Sequence, residues 1–371
     1  MNKNFSKKFD YAIEQTEVSI LWDKISNEPS SIDLTISNPT SVGLELDLRQ
    51  YFNPKIVEKF SQYSPTAKGN FELRNEIAKC YSKYGRIVNP EDIFLTSGSS
   101  EAISFLLKLY CNPNDKVLVP IPGYPLFEYL VELESLNIEY YRNTKLDLLY
   151  DTNDAKIIFI VQPSNPCGTI LSSEEILQME ELCRNKNLIA VVDEVFIDYS
   201  NHSPKEIDCN SIYIGGFSKS LGLPQLKISW LYFKGTKEFK KSSIERMEII
   251  TDTYLSVNQI SQTIGIELLK NKSKFTERIQ TRIQNNLNFI EKRLTSKVNF
   301  QKYLGGWSLV LQGKEISDEN TVLTLIKEKK ILVHPGYLFG FETANYLVIS
   351  LLPEEKKFME GIERLNEFFS V

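Results

Sequence analysis

Residues 215–230 read GGFSKSLGLPQLKISW, a glycine-bounded turn that holds Lys219 between two serines and places a second lysine, Lys227, eight residues further on. The apolar run Ser211–Gly215 precedes the turn and predicts a strand that ends there. A solvated loop lysine needs no such small-residue setting, whereas an amine held at the end of a buried strand can react with a bound molecule. The neighbourhood of Lys219 is therefore the centre of a candidate site.

Between about residue 70 and residue 235, short apolar runs alternate with amphipathic stretches. The predicted strands are Ile93–Thr96, Lys116–Val119, Ile157–Gln162, Ile189–Asp193, Ser211–Gly215 and Ile228–Phe233. The predicted helices are Phe71–Tyr84, Ser100–Tyr110, Leu126–Leu133 and Ser173–Lys186. This alternation predicts an α/β fold whose mostly parallel sheet lies between helices. Such sheets bind ligands at the carboxyl ends of their strands.

The pattern changes from about Thr236, where long, highly charged helical stretches continue to about residue 295. Two strand-like runs, Trp307–Gln312 and Tyr346–Leu351, and a last helix from about Glu354 follow. They predict a separate and smaller C-terminal α+β domain. The expected division is an N-terminal segment packing on both domains over 1–35, a large domain over 36–260 and a small domain over 261–371.

The composition is that of a soluble globular protein, with 42% hydrophobic and 25% charged residues among 371. The net charge of −5 argues against nucleic acid or an anionic membrane as the main partner, because either would require a basic face. The longest apolar runs, such as Ile157–Val161, are too short to span a bilayer, and the N-terminus lacks the apolar core of a signal peptide. We therefore expect that the protein binds neither nucleic acid nor a membrane.

The cysteines and histidines of the sequence indicate the cellular compartment and limit the kinds of catalytic or metal site that the chain can form. The chain has five widely spaced cysteines without a CxxC pair: Cys80, Cys111, Cys167, Cys183 and Cys209. Such cysteines are typical of reduced thiols in a cytoplasmic protein. With only His202 and His334, the chain offers little material for a histidine-built metal site or a Ser-His-Asp triad, and we expect no metal.

Polar residues follow three other predicted strands. The turn Ser97-Gly98-Ser99-Ser100 precedes a helix and can present free N–H groups to an anion, although Ser99 or Ser100 acting as a helix cap is the simpler interpretation. Asn165 stands between two prolines. Its side-chain amide can bind a ligand, but an asparagine in an ordinary turn explains the pattern equally well. Asp193 ends an apolar strand, where it can pair with a cation in the cleft or cap the next segment.

An anion-binding turn, an amide, an acid and a lysine, in this order at successive strand ends, are the groups that pyridoxal phosphate needs. Here the sequence resembles the class I/II branch of the fold-type I aminotransferases. The resemblance extends from Tyr63, in YSPTAKGNFELR, to the strand at Tyr346–Leu351. The segments SKSLGLPQLK, SNPCGT and DEVFIDY carry it, at separations like those of the family.

The resemblance implies a role for each residue around the cofactor. Lys219 would form the Schiff base with pyridoxal 5′-phosphate and move the Cα proton of the substrate, and Asp193 would keep the ring nitrogen protonated. Asn165 would donate to the ring 3-oxygen, and Tyr124 would stack on the ring. The phosphate-binding group would be Ser99, Ser100, Ser218, Lys227 and, across a subunit boundary in a homodimer, Tyr63. For both tyrosines, core packing is the alternative.

The same resemblance places the substrate between the two domains. Asn38, Trp307 and Tyr337 are the implied substrate-binding residues, and His334 would line the same cleft. Trp307 suits a buried core equally well.

The chain departs from the family pattern at four positions. Lys227 replaces an arginine, and a lysine cannot make the bidentate contact with phosphate that a guanidinium makes. Gly216 replaces a serine. Phe196 replaces a tyrosine that hydrogen-bonds the ring oxygen. Val348 replaces the arginine that binds the substrate carboxylate, and no arginine lies between Arg293 and Arg364. Either another cation takes this role or the substrate lacks a standard α-carboxylate.

The expected function is therefore a transaminase that moves an amino group from an amino donor to a keto acceptor. A pyridoxal-phosphate lyase or decarboxylase of the C–S β-lyase kind is the alternative, because Phe196 and Val348 allow a different bond to break. A sensor domain fused to a DNA-binding helix-turn-helix does not fit, since the roughly 35 residues before the domain show no such motif. A catalytically inactive relative without cofactor is a further alternative. The chain retains Lys219, Asp193 and Asn165, which argues against it.

Overall fold

The structure is a computed structural model that describes Ser6, Lys8 and residues 15–61, 63–142, 154–313 and 316–370. The helices are α1 (Glu17–Ile25), α2 (Pro54–Lys59), α3 (Phe71–Tyr81), α4 (Ser99–Tyr110), α5 (Leu126–Leu133), α6 (Ser173–Lys186), α7 (Phe217–Ser220), α8 (Lys237–Tyr254), α9 (Gln259–Lys270), α10 (Lys272–Arg293), α11 (Asp318–Thr324) and α12 (Glu355–Ser370). The strands are β1 (Ile32–Asp33), β2 (Ile93–Thr96), β3 (Lys116–Pro120), β4 (Asn137–Tyr141), β5 (Ala155–Val161), β6 (Ile189–Asp193), β7 (Ser211–Gly216), β8 (Ser229–Lys234), β9 (Asn299–Phe300), β10 (Ser308–Gln312), β11 (Ile331–Leu332), β12 (His334–Pro335) and β13 (Tyr346–Ser350).

A seven-stranded sheet in the order β2-β8-β7-β6-β5-β3-β4 forms the larger unit. The strand β8 runs antiparallel to both of its neighbours and all other pairs are parallel. The central strands are continuous apolar runs because both faces of the sheet are covered. The predicted α/β fold with a mostly parallel sheet is confirmed, and the carboxyl ends of β2, β5, β6 and β7 lie at one edge.

Two hydrophobic clusters cover the two faces of this sheet. Alternate residues of a strand point to opposite faces, so Ile158 and Val192 join the cluster beneath α3, α6 and α9. Phe159 and Val191 join the other cluster, with side chains of α4, α5 and α8. The helix α6 shows how local sequence sets the boundaries: Ser172 and Glu175 form a capping box at its start, and a left-handed Asn187 ends it.

The smaller unit is built on a four-stranded antiparallel sheet in the order β12-β13-β10-β9. Side chains of α10 and α12 pack on one face of this sheet in a third hydrophobic cluster. The helix α1 adds Trp22 to the same cluster, and β1 pairs in parallel with β11. Lys8 reaches the larger unit by donating to the carbonyl of Leu133. The domain limits of the sequence analysis stay a prediction.

The structure also corrects some predicted elements. The edge strand β4 was not predicted, because its residues are half exposed and lack the continuous apolar run of the inner strands. The helix expected to end at Tyr84 ends at Tyr81 and is followed by a 3₁₀ turn, Ser82–Tyr84. The charged region after Thr236 forms three helices, α8, α9 and α10. No helix in the described ranges is long and apolar enough to cross a bilayer.

Candidate active site

Lys219 lies in the short helix α7, directly after β7, with its amine facing aromatic rings. Its Nζ atom is 5.5 Å from the ring centroid of Phe196 and 4.9 Å from that of Trp307. The Tyr199 hydroxyl donates to the carbonyl of Lys219 at 3.0 Å and so fixes the backbone of the turn. Desolvation lowers the pKa of the Lys219 amine, and the charge of Asp193 opposes part of this shift. A neutral, nucleophilic amine is therefore easier to form here than in water.

Asp193 ends β6, the strand beside β7, and its side chain is buried. Burial raises the pKa of its carboxyl group to about 6, although the Val195 N–H and the Lys219 charge both favour the ionised form. One carboxylate oxygen accepts the Val195 N–H at 3.0 Å. A buried acid with this raised pKa is a natural partner for a cationic group brought into the cleft.

The turn before α4 forms the second part of the site, together with Lys227. Gly98 precedes the helix with a φ of 131° and makes no side-chain capping bond, so the interpretation of Ser99 or Ser100 as a helix cap is wrong. A Cβ atom on Gly98 would lie 3.2 Å from Nζ of Lys227. The start of α4 and an ammonium group thus converge on one point, which is an arrangement suited to an anion.

Tyr124 and Asn165 follow strands β3 and β5 at the same edge of the sheet. Burial raises the pKa of the Tyr124 hydroxyl, and the nearby Asp193 charge raises it further, which places the two side chains close together. Asn165 is half buried in a compact loop that is closed by a 2.6 Å hydrogen bond between the hydroxyls of Ser164 and Thr169. Both residues therefore follow strands at the sheet edge that carries Lys219, and their contacts with a cofactor stay a prediction.

Trp307 is the residue of the smaller unit that approaches Lys219 directly. It is 2% exposed and packs edge-on against Phe196 and Tyr199 at centroid distances of 5.4 and 5.3 Å. Its indole N–H is buried, and no described residue accepts a hydrogen bond from it. Trp307 is therefore a core residue that also lies beside Lys219, and its role towards a substrate stays a prediction.

The other implied substrate residues lie further from Lys219. Asn38 is exposed and its side chain accepts from the N–H and hydroxyl of Thr40, while the next residue, Pro39, packs against Gly222 of the lysine turn. Tyr337 is partly exposed, and its backbone N–H donates to Asp318. Its loop docks on the Tyr124 loop through a 2.9 Å bond from the Gly123 N–H to the Phe339 carbonyl. No described contact joins Tyr337 to Lys219.

Tyr63 lies outside this cluster, on the surface. Its side chain is 77% exposed and lines a cavity of about 570 Å³ with Leu95, Leu255 and Ser256. The Ser97 hydroxyl donates to the Ser256 carbonyl at 2.9 Å, so the cavity lies beside the turn that precedes α4.

A buried ion pair behind Asp193 was not predicted from the sequence. The Arg86 guanidinium binds both carboxylate oxygens of Glu194, at 2.5 and 2.8 Å, with both side chains almost fully buried. The ring of Tyr213 lies 5.2 Å from the guanidinium carbon. The pair holds the residue after Asp193 in place and so helps to orient that acid. Arg86 and Glu194 are 108 positions apart in the chain, and no sequence signal connects them.

The sequence model of one family, described as aminotransferase class I and II, matches residues 56–365. The chain belongs to the class I and II aminotransferases. Members of this family depend on pyridoxal phosphate, and the activity of this aminotransferase is the transfer of amino groups.

Individual relatives show the same relationship at low identity. The aminotransferase is 25% identical to a tyrosine aminotransferase of Dictyostelium discoideum, over 91% of this chain and 89% of that one. It is 26% identical to a probable aspartate aminotransferase of Methanocaldococcus jannaschii, over 83% of this chain and 86% of that one. The fold matches the structure of an alanine aminotransferase from Pyrococcus furiosus with a TM-score of 0.88, at 20% identity and 99% coverage of both chains.

The structure shows the surroundings of two of the departures from the family pattern, Gly216 and Val348. A Cβ atom on Gly216 would lie 2.3 Å from the Ser229 hydroxyl oxygen, so Ser229 occupies the space that a serine at position 216 would need. Val348 is 1% exposed and lies in register with Val310 and His334 on neighbouring strands. Burial lowers the pKa of His334, which favours the neutral imidazole. This face of the small sheet therefore lacks the positive charge that an arginine would supply at position 348.

Proposed function

We propose that this aminotransferase holds pyridoxal 5′-phosphate at the sheet edge around Lys219 and transfers amino groups between amino acids and keto acids. The observation that carries the proposal is the pair formed by Lys219 and Asp193, an amine with a lowered pKa and a buried acid with a raised one, at adjacent strand ends. The family membership supports the cofactor class.

The residues of the site fit this cofactor at both of its ends. The Asp193 carboxylate is desolvated, so a protonated ring nitrogen would supply the cation that it lacks. The start of α4 and the Lys227 ammonium would bind the phosphate, with Ser99, Ser100 and Ser218 as hydroxyl donors. Tyr124 and Asn165, at the ends of β3 and β5, would contact the ring.

The bound cofactor would withdraw electrons from the substrate carbon that carries the amino group. Lys219 would bond to the cofactor between turnovers and, when released, carry the proton to and from that carbon. Phe196 and Trp307 lie against its amine, and burial lowers the pKa of that amine, so the neutral form would be available for this task. Asp193 would hold its negative charge against the ring throughout.

The substrate carboxylate would be bound differently from that in relatives with an arginine at position 348. The Trp307 N–H is buried and without an acceptor in the described part of the chain, 2% exposed and beside Lys219. It would donate to a carboxylate oxygen of a substrate, with the exposed Asn38 as a second polar group. One neutral donor binds a carboxylate more weakly than a bidentate guanidinium does.

The active form would be a homodimer. Tyr63, Phe71, Tyr254 and Ile260 are exposed large side chains, and all but Tyr254 line the cavity beside the turn before α4. A contiguous apolar surface of this kind is typical of an interface, and a second copy would bring its own Tyr63 towards the phosphate-binding group. Sedimentation equilibrium should give twice the chain mass. A monomer at micromolar concentration would contradict the dimer but not the cofactor site.

The protein would work in the cytoplasm. Its five cysteines are all free thiols, which is typical of proteins in a reducing compartment.

The half-reaction tests the proposed activity. The protein loaded with pyridoxal phosphate is mixed with single amino acids, with no keto acid present, and its absorbance spectrum is followed. Conversion to the pyridoxamine form, reversed by adding a keto acid, is the expected result. Release of pyruvate and ammonia without that conversion would instead indicate a lyase. The aminotransferase relatives make the first outcome the expected one.

A further inference from the structure

Two cysteines meet at the amino ends of the central strands, on the side of the sheet away from Lys219. Cys183 lies in the last turns of α6, and Cys209 lies just before β7. The Asp208 N–H donates to the Glu180 carboxylate at 2.7 Å, and the Arg184 guanidinium donates to the Asp208 carbonyl at 3.1 Å. Because positions 180, 183 and 184 share one face of a helix, these two bonds hold Cys183 against the segment that carries Cys209.

Cys183 and Cys209 line the wall of one cavity, and each thiol shifts the pKa of the other. The Cys209 thiol donates a weak hydrogen bond to the Asn210 carbonyl at 3.7 Å. The neighbouring Cys183 thiol lowers the pKa of the Cys209 thiol, and the positive charges of Arg184 and Lys234 act in the same direction, against burial and the Glu180 charge, which raise it. The same contact, together with burial, raises the pKa of the Cys183 thiol. One thiol therefore ionises more easily than its neighbour, which is the asymmetry found in pairs of an attacking and a resolving cysteine.

Access differs between the two sulfur atoms. Cys209 is half buried in the wall of a surface cavity of about 640 Å³ that Arg184 and Lys234 also line. Cys183 lines the same cavity but is only 2% exposed. A small oxidant can therefore reach Cys209 first, with Cys183 already in contact behind it.

We propose that Cys183 and Cys209 form a reversible disulfide when the protein meets a peroxide. The Cys209 thiolate attacks one oxygen of hydrogen peroxide, the O–O bond breaks, and Cys209 becomes a sulfenic acid while hydroxide leaves. The Cys183 sulfur then attacks the Cys209 sulfur, the S–O bond breaks, and the hydroxyl group leaves as water with the Cys183 proton. In sum, two thiols and one peroxide give one disulfide and two waters, and a dithiol reverses the reaction.

The bridge would close the chain between residues 183 and 209, a loop that contains Asp193 and Phe196. Closing such a loop restricts the unfolded chain, so the oxidised protein should resist unfolding better than the reduced one. The bridge lies at the opposite ends of β6 and β7 from Asp193 and Lys219. Amino transfer should therefore change little on oxidation, by less than about twofold.

The test treats the cofactor-loaded protein with hydrogen peroxide and counts free thiols after denaturation. The count should fall from five to three, and a peptide map should contain one cross-linked pair with Cys183 and Cys209. The melting temperature should rise by about 2–4 °C or more on oxidation and return after dithiothreitol. A count that stays at five, or a cross-link between other cysteines, would overturn the proposal.

Single variants separate the roles of the two sulfur atoms. In C183S, Cys209 should still react but stop at a sulfenic acid, which dimedone traps. In C209S, the buried Cys183 should remain a free thiol under the same treatment. The matched control C111S should still lose two thiols and form the same cross-link. Equal reaction of dimedone with C183S and C209S would show that the asymmetry, and with it the proposed order of attack, is wrong.

Discussion

The site around Lys219 has one wall of charged and polar groups and another of aromatic and aliphatic groups. Asp193, Lys227 and the start of α4 form the first wall at the ends of parallel strands, where the backbone fixes each position. Trp307 forms the second wall and belongs to the smaller unit, whose sheet carries no positive side chain at position 348. Phe196 extends the aromatic surface over the lysine amine.

The two walls correspond to the two tasks of an aminotransferase, which are binding the cofactor and recognising the substrate. The charged wall faces the place where the cofactor would sit, and there the chain keeps the groups that a phosphate and a cationic ring require. The aromatic wall faces the place of the substrate, and there the chain departs from the family pattern at Val348. We infer that cofactor binding is retained while substrate recognition has changed. The following variants test the two walls separately.

Replacing Lys219 should have the largest effect. K219A removes the amine that bonds to the cofactor and carries the proton, so amino transfer should slow by at least about 10³-fold. K219R keeps the positive charge but cannot act as a base, and should be equally slow. Steady-state rates with saturating cofactor provide the measurement. Substantial activity in K219R would show that charge alone, rather than proton transfer, is what position 219 supplies.

Replacing Asp193 should have the next largest effect. D193N leaves the cofactor ring without its buried anionic partner, and losing one member of such a pair costs about 2–5 kcal/mol. We expect kcat/KM to fall about 10²-fold and the cofactor to bind more weakly. A D92N variant, at an ion pair between the buried Asp92 and Lys240 away from the site, is the control and should keep its activity. Equal losses in both variants would argue for a general structural defect.

The raised pKa of Asp193 predicts how the free energy of unfolding of the cofactor-free protein depends on pH. The folded-state pKa of Asp193 is about 6 and its ordinary value is 3.8, so the folded protein holds the extra proton between these values. Wild-type stability should therefore fall, relative to D193N, as pH rises from about 4 to 6, by about 3 kcal/mol in all. Urea denaturation at pH 4 and pH 8 measures this difference. A constant difference between the two proteins across this range would contradict the raised pKa.

Substitutions in the aromatic wall should change substrate affinity by a smaller factor. V348R restores a cation on the substrate side, and a charged hydrogen bond to the carboxylate should lower KM for amino acids about tenfold. V348M adds a long unbranched side chain without charge, so it is the control for size and should leave KM unchanged. W307F removes the free indole N–H while keeping an aromatic ring, and should raise KM. An unchanged KM in both V348R and W307F would mean that the carboxylate is bound elsewhere.

Phe196 should affect the titration of the cofactor more than the rate. F196Y adds a hydroxyl that can donate to the ring oxygen and stabilise its charge, so the absorbance of the loaded protein should titrate about one pH unit lower than in wild type. Spectra recorded between pH 5 and pH 9 give the midpoint. A midpoint in F196Y equal to or above that of wild type would show that the ring oxygen lies away from position 196.

The charged wall was largely predictable from the strand ends, whereas Trp307 and Phe196 in the aromatic wall could be placed only through the family resemblance. Strand ends can be located from short apolar runs, and the carboxyl ends of parallel strands meet at one edge, so Asp193 and Lys219 could be placed together. The contact of Trp307 with Lys219 joins two units that are far apart in the chain, and no periodic pattern encodes it. The Arg86–Glu194 pair and the contact of Cys183 with Cys209 escaped prediction for the same reason.

Covalent labelling tests the central claim most directly. The protein is incubated with pyridoxal phosphate, reduced with borohydride and digested, and the modified peptide is identified by mass spectrometry. We predict a single phosphopyridoxyl group on the Lys219 side chain, with Lys227 unmodified, and no labelled peptide from K219A. An unmodified Lys219 in the wild-type protein, or a label carried equally by Lys227, would contradict the account.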